Sequence, residues 1–228
     1  MASDETRGQT MPSPQSLDLV VVREPDSVGA QAYRSIRETL RHAKVDVPIR
    51  SALLADVGSR DQAGEAAANI AASFALNGDS TVLVDLDAAD PVLANLLHVS
   101  QSPGLIEWLS TGADQPDAAL APIATEIPDL GLIPVGTRVR GGPAAPLADL
   151  MTDSACARLI KQLGESAHLV IFHASVAPIS SQALTVAAEV DAVVLIIRSG
   201  TTKRTDAQRA KESLERIGAN LLGVVLTD

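Results

Sequence analysis

Short, continuous apolar runs recur along the chain, and the segments between them have helical spacing. Unbroken runs of Val, Ile and Leu, rather than strict apolar–polar alternation, are typical of strands that are buried on both faces of a sheet. We therefore predict strands at Leu19–Val22, Ala52–Ala55, Val82–Asp85, Gly131–Val135, Leu169–Phe172, Val193–Ile197 and Leu221–Leu226.

Two of the intervening segments carry an apolar stripe at helical spacing, from Ala66 to Ala75 and from Ala207 to Ile217. Gly78 and Gly218 are expected to end these helices. Alternating strands and helices predict an α/β fold, with a single, mostly parallel sheet that has helices on both faces. We assign this domain to residues 17–228, and we expect the polar residues 1–16 to form a disordered arm.

Charge, cysteine content and hydropathy exclude several classes of protein. The 228-residue chain has a formal net charge of −10, which opposes binding to nucleic acid or to anionic lipid. Its single cysteine, Cys156, excludes an internal disulfide and suits a reducing compartment. No apolar run approaches the roughly 20 residues that span a bilayer. We expect a cytoplasmic protein without direct membrane insertion.

The loop after the second predicted strand lies where an α/β protein often holds a phosphate. The sequence ADVGSRDQAGEAAANIAASFALNG, residues 55–78, passes from a strand through a Gly/Ser/Asp loop into a helix. A phosphate-binding loop would carry a lysine followed by Ser or Thr here, but the chain reads Gln62-Ala63-Gly64. The candidate nucleotide-binding residues are therefore a degenerate set: Gly58, Ser59, Arg60, Gln62, Ala63 and Gly64.

A second loop, residues 136–146 (GTRVRGGPAAP), contains glycines and prolines that exclude helix. Because it follows a predicted strand, it should lie at the carboxyl edge of the sheet, where open α/β folds bind ligands. The alternative is that it is a plain connector.

Several motifs, taken in order, resemble the bacterial tyrosine kinases of capsule and exopolysaccharide synthesis. Residues 32–40 (AYRSIRETL) resemble the family's AYRSLRTNL helix, residues 82–91 (VLVDLDAADP) its acidic motif LLIDADLRRP, and residues 103–109 (PGLIEWL) its PGLSDVL segment. Residues 132–136, 191–198 and 223–226 are similar to later strands of the family. The resemblance covers roughly residues 18–228, and it implies a P-loop fold of the ParA/MinD type.

The resemblance also shows which catalytic groups are missing. Aligning residues 68–71 (ANIA) with the family's AANLA places the P-loop lysine on Ala63 and the magnesium-binding Ser or Thr on Gly64. Glu65 places a carboxylate in the first helical turn, where it would compete with a phosphate. His173 stands where the family's VIIDTPP motif has a metal-positioning aspartate, and imidazole is a poor ligand for Mg²⁺.

Two aspartates of the acidic motif remain, Asp85 and Asp87, whereas the family's arginine pair after them has become Ala89-Asp90. In the family the first aspartate contacts magnesium through water and the second acts as a base. The alternative is that an Asp at the end of a strand simply caps the next turn. We therefore treat Asp85, Asp87 and His173 as vestigial catalytic candidates. Arg60, Arg138 or Arg140 could replace the charge of the lysine but not the bridging role of Mg²⁺.

The helix that opens the resemblance carries a possible contact surface. The family's ExxRxxR motif packs subunits into a ring, and here it reads Gln31, Arg34 and Arg37. Spacing of i and i+3 places the arginines on one helix face. The alternative is an ordinary solvated face.

The leading hypothesis is a non-catalytic family member that binds no cofactor and no metal. It would be a partner or regulator in exopolysaccharide or capsule synthesis and export, recruited to the inner membrane by a membrane polysaccharide co-polymerase or chain-length-determinant protein. The resemblance also implies self-association through the helix of Gln31, Arg34 and Arg37. The histidines show no metal-ligand spacing: His42, His98, His168 and His173.

An active tyrosine kinase, with weak binding of ATP and Mg²⁺, is the first alternative. Tyr33 is the single tyrosine, and no tyrosine cluster follows the last strand, as family autokinases would need. A ParA/MinD-like positioning ATPase is the second alternative, but it would need the same missing lysine.

Overall fold

The computed structural model of the protein describes residues 17–43, 48–57, 64–112, 119–137, 146–176 and 180–227, without the side chains of residues 111 and 112. The strands are β1 (Ser51–Val57), β2 (Thr81–Asp85), β3 (Ile123–Ala124), β4 (Leu130–Ile133), β5 (Leu169–Ser175), β6 (Ala192–Arg198) and β7 (Leu221–Thr227). The helices are α1 (Val20–Arg23), α2 (Val28–Arg41), α3 (Glu65–Ala75), α4 (Leu93–Leu96), α5 (Leu105–Gly112), α6 (Leu147–Leu150), α7 (Asp153–Gly164), α8 (Ser181–Glu189) and α9 (Arg204–Arg216).

The strands form one sheet in the order β3-β4-β2-β5-β1-β6-β7. All neighbouring strands are parallel except β3 and β4, which are antiparallel. The central strands β2, β5 and β1 have helices over both faces, which explains why their sequences are continuous apolar runs. The predicted α/β, mostly parallel architecture is confirmed.

Alternate residues along each strand point to opposite faces of the sheet and supply two hydrophobic cores. Leu53 and Phe172 belong to the core shared with α5, α7, α8 and α9. Leu54 and Ile171 belong to the core shared with α1, α2, α3 and α4. At the carboxyl ends of the strands, residues on the same face as Leu54 and Ile171 therefore point toward the N-terminus of α3.

The prediction of a strand at Leu19–Val22 is wrong, because Val20–Arg23 forms the short helix α1. The segment packs on the helical layer rather than joining the sheet, and Leu19 and Val21 are buried in the second core. The backbone N–H of Val21 donates to Asn69 Oδ1 of α3 at 3.2 Å, which satisfies a group that a strand neighbour would otherwise have bonded.

The two predicted amphipathic helices are confirmed as α3 and α9. Gly78 and Gly218 follow them with φ of +87° and +73°, a region that favours glycine. The antiparallel strand β3 was not predicted, since its two residues are too short for a periodic signal. None of the helices in the described ranges is long and apolar enough to cross a membrane.

Candidate functional site

Three buried polar side chains meet where the central strands β2, β5 and β1 end. His173 of β5 is in register with Asp85 on the neighbouring strand β2 and with Leu54 on the other neighbour, β1. Asp56 lies two residues after Leu54, on the same face of β1. The exposed fractions are 0% for Asp85, 0% for His173 and 8% for Asp56. Asp87, at 7%, follows on the loop after β2. This is the edge at which parallel α/β sheets bind ligands.

Asp85 and Asp87 both organise the turn after β2. Asp85 Oδ1 accepts a hydrogen bond from the Asp87 backbone N–H at 2.9 Å. Asp87 Oδ1 accepts from the backbone N–H groups of Ala89 and Asp90, each at 3.2 Å. The structure therefore shows the capping contacts that were the alternative interpretation of these residues. The second carboxylate oxygen of each is buried without a hydrogen-bond partner among the described residues.

His173 occupies the centre of this cluster. Its Nδ1 lies 3.7 Å from Asp85 Oδ1, and neither ring nitrogen has a hydrogen-bond partner within the described part of the chain. Wherever the structure describes the chain, no three His, Cys, Asp or Glu side chains are arranged to hold a metal ion. An imidazole among carboxylates brings a nitrogen to a place where Mg²⁺ would require oxygen.

Gly64 begins α3 beside this cluster, with a left-handed φ of +84°. A Cβ placed on Gly64 would lie 2.9 Å from both Val92 Cγ2 and Leu93 Cδ2, and 3.5 Å from His173 Cε1. The magnesium-binding Ser or Thr implied by the resemblance would need both this space and a different backbone conformation. Val92 and Leu93 therefore occupy the space that a side chain at position 64 would need.

Asp56 was missed by the sequence analysis, although a carboxylate directly after a buried run was a usable signal. Burial raises its pKa, whereas the nearby His173 and Arg198 and a hydrogen bond from the Gly64 backbone lower it, and the net shift is upward. Asp56 thus connects the end of β1 to the start of α3 across the degenerate loop.

The loop itself is only partly described. Gly58, Ser59, Arg60, Gln62 and Ala63 lie outside the described residues, as do Arg138 and Arg140 and the proposed arm of residues 1–16. Of the candidate nucleotide-binding set, Gly64 alone is described.

The start of the 136–146 loop is held by Glu107 of α5, another residue that sequence reasoning missed. The carboxylate accepts hydrogen bonds from the backbone N–H groups of Gly104 at 3.0 Å and Thr137 at 2.9 Å, and from the Ser102 hydroxyl at 2.7 Å. Burial raises the pKa of Glu107, but these donors outweigh it and the net shift is downward. Gly136 accommodates the contact with a φ of +87°.

Arg34 and Arg37 of α2 line one groove, which we call the α2 groove, with a volume of about 450 Å³. Arg34 donates to the Pro25 carbonyl. Arg37 donates to the Ser73 carbonyl of α3 at 3.0 Å and pairs with Glu38 at 2.7 Å. Gln31 is exposed and lies near the Asp26 carbonyl at 3.5 Å. Both arginines are thus already bonded within their own chain.

Relatives of the chain are bacterial tyrosine kinases. No family model matches it. It is 26% identical to tyrosine-protein kinase YwqD of Bacillus subtilis over 226 residues, which cover 99% of this chain and 90% of the relative. It is 30% identical to tyrosine-protein kinase CpsD of Streptococcus pneumoniae over 69% of this chain and 66% of the relative. The succinoglycan biosynthesis transport protein ExoP of Rhizobium meliloti is 26% identical over 98% of this chain but only 28% of its own length.

Solved structures agree with these relatives. The chimerical protein CapA2B2 superimposes with a TM-score of 0.78 at 27% identity, over 91% of this chain and 88% of the other. The kinase domain of Escherichia coli tyrosine kinase ETK gives 0.81 at 20% identity, over 96% and 83%. The septum site-determining protein MinD of Pyrococcus horikoshii gives 0.53 at 18%, over 77% and 70%, and shares the fold. The chain belongs to the bacterial tyrosine kinase family of P-loop proteins.

Proposed function

We propose that this protein is a non-catalytic member of its family, a cytoplasmic partner or regulator in exopolysaccharide or capsule synthesis and export. The observation that carries the proposal is the packing at Gly64. A hydroxyl-bearing side chain there would meet Val92 and Leu93 at 2.9 Å from its first carbon, in a backbone conformation with φ of +84°. The structure around the missing magnesium ligand supports a site that holds no Mg²⁺.

The surrounding charges support the same proposal. Transfer of a phosphoryl group depends on cations that neutralise charge on the phosphate oxygens. The described site instead gathers three buried aspartates, Asp56, Asp85 and Asp87, around His173. Glu65 adds a further carboxylate in the first turn of α3. A nucleotide triphosphate would meet this negative cluster without the lysine that the sequence lacks at position 63.

An active tyrosine kinase remains the second candidate because Asp85 and Asp87 each keep one buried oxygen without a hydrogen-bond partner in the described ranges. In the family the first of these aspartates contacts magnesium through water and the second acts as a base. Phosphorylation of Tyr33, the single tyrosine of the sequence, is disfavoured, because it is partly buried and burial raises its pKa to about 12. We therefore propose that the protein acts by binding a partner and not by transferring phosphate.

The partner proposed is a membrane polysaccharide co-polymerase or chain-length-determinant protein, which would recruit the chain to the inner membrane. The match to the transport protein ExoP supports this pathway. We assign the α2 groove to partner contact. Because Arg37 already serves Ser73 and Glu38, little of its charge is left to hold a neighbouring copy in a ring.

Complementation tests the proposal in a host whose polysaccharide output depends on this protein. The variant Asp85→Asn/Asp87→Asn keeps an oxygen acceptor for each backbone contact of the turn but removes both carboxylates. It is expected to restore polysaccharide output to the wild-type level, because only partner contact is needed. Loss of output with a folded variant would show that catalysis is required. Arg34→Glu is the matched surface variant and is expected to lower output and to weaken partner capture.

Restoring the missing loop residues provides a second test. The variant Ala63→Lys/Gly64→Thr should not transfer phosphate from ATP to tyrosine, because His173 still stands in place of the metal-positioning aspartate. Turnover near 1 s⁻¹, within the roughly 1–100 s⁻¹ range of kinases, would show that His173 does not stand in place of the metal-positioning aspartate.

A further inference from the structure

The free edge of β7 carries a binding surface that shares no residue with the α2 groove. β7 pairs with β6 on one side, and none of the described residues pairs with its other side. Its seven residues, LLGVVLT, contain no charge and no proline. Open edges are usually blunted by charged residues, proline or short length, because their free backbone groups template pairing with another strand.

The opposite edge of the same sheet shows that blunting. β3 has two residues, follows Pro122, and precedes Glu126 and Asp129. One edge is therefore short and flanked by acids, whereas the other is long and apolar.

Free backbone groups and exposed side chains coincide on β7. The Thr227 carbonyl accepts from the Ser199 N–H at 2.7 Å and so points toward β6. Because backbone direction alternates along a strand, the N–H and C=O groups of Val224 and Leu226 point away from β6. The same two residues have the exposed side chains, at 51% for Val224 and 73% for Leu226.

We propose that β7 pairs in antiparallel fashion with β7 of a second copy of this chain, with Val225 on the twofold axis. In this register Val224 lies opposite the partner copy's residue 226, and Leu226 opposite its residue 224. These are the residues with outward-pointing backbone groups, so each opposed pair exchanges both of its hydrogen bonds. Their side chains share one face and form a single apolar cluster.

The absence of charge along β7 favours a second copy as the occupant. A groove of about 600 Å³ lies between α2 and β7, and the described residues that line it include Ile36, Thr39, His42, Leu222 and Val225 but no acidic residue. The uncharged residues of β7 can pair with their own copies without placing like charges opposite each other. Because β3 is blunted at the other edge, the pairing closes as a dimer and does not continue into a filament.

The dimer should respond to salt in the opposite way to an interface held by arginines. Each copy has a formal net charge of −10, so repulsion opposes association. Salt screens that repulsion, with a Debye length of about 8 Å at physiological ionic strength. We therefore expect association to strengthen as salt is added.

Sedimentation equilibrium of the full chain tests the surface. A small interface of this kind should give a dissociation constant on the order of 10–100 µM. Leu226→Lys should weaken association by about tenfold or more, because a lysine on an edge strand opposes pairing. The matched control is Leu76→Lys, which makes the same change at a 52% exposed leucine of the α2 groove and should leave association unchanged.

A single cysteine tests the register. Val225→Cys should oxidise to a disulfide-linked dimer, because directly opposed residues have Cβ atoms about 4.5–5.5 Å apart, closest in a pair without hydrogen bonds between them. Leu226→Cys should not form this disulfide, because residue 226 of the second copy lies diagonally across the strand pair and not directly opposite. Cys156 will not compete, since its side chain is fully buried. A monomer at every concentration, association unaffected by Leu226→Lys, or loss only in Leu76→Lys would each overturn the proposal.

Discussion

The end of the central strands and the α2 groove retain different parts of what the family resemblance implies. At the strand ends, the resemblance places Gly64 and His173 where the family has groups that hold a metal, and Val92 and Leu93 lie close to Gly64. In the α2 groove both arginines remain, and each is bonded to a carbonyl of its own chain. The two arginines that match the family's motif therefore also have a role in stabilising the fold.

The largest effect is expected from Gly64→Thr, which restores the side chain implied by the resemblance. It should lower the free energy of unfolding by about 3 kcal/mol or more, because left-handed strain adds to overpacking. Urea denaturation provides the measurement. Gly78→Thr is the matched control, since Gly78 has a φ of +87° but nothing within 4 Å of its added Cβ. It should lose only the backbone term of about 1–2 kcal/mol. Equal losses would show that the site has room.

His173→Asp sharpens the comparison by restoring the aspartate. It should cost about 3 kcal/mol, because it adds a buried negative charge beside Asp85. His173→Asn has nearly the same shape without the charge and should cost clearly less. Thermal unfolding with and without MgCl₂ tests whether the His173→Asp variant binds the metal. If Mg²⁺ stabilised the aspartate variant by several degrees, the strand ends would still be a metal site.

In the α2 groove, Arg37→Ala should cost about 2 kcal/mol, because it removes charge-assisted hydrogen bonds to a carbonyl at the end of α3. The Arg37 side chain is only 12% exposed. Arg34→Ala, which loses one bond at a more exposed position, should cost less than about 1 kcal/mol. Chemical denaturation compares them. If Arg34→Ala were the more damaging change, our account of which arginine holds the fold would be reversed.

The smallest effect is a pH dependence at Asp56. Burial raises its folded pKa above the ordinary value of 3.8, so its contribution to stability is fully present below that value and lost as pH rises through the folded pKa. Asp56→Asn should therefore gain stability relative to wild type at pH 7 but not at pH 3. Asp26→Asn, at an exposed position, is the control and should show no such trend. A flat difference for Asp56→Asn would contradict the burial of charge at this edge.

Most of the fold could be predicted because buried parallel strands and amphipathic helices leave strong periodic signals. The prediction at Leu19–Val22 was wrong because three consecutive valines favour a strand locally. Packing on α3 and the hydrogen bond to Asn69 stabilise a helix there instead. That outcome depends on tertiary contacts, which a local pattern does not contain.

The resemblance predicts which groups of the site are replaced, but the packing around the site could not be predicted from the sequence. Nothing local in the sequence shows that Val92 and Leu93 would fill the space above Gly64, or that Glu107 would hold Thr137. These contacts join residues far apart in the chain. The role of Asp56 could have been inferred, because a carboxylate at the end of a buried strand lies at the ligand-binding edge of such a sheet.

Titration calorimetry of the full chain with ATP and MgCl₂ tests the central claim most directly. At tens of micromolar protein we expect no measurable heat of binding, because the described site offers buried carboxylates and an imidazole where a nucleotide needs cations. The same result is expected with GTP. A dissociation constant below about 10 µM for either nucleotide in the presence of Mg²⁺ would contradict the account.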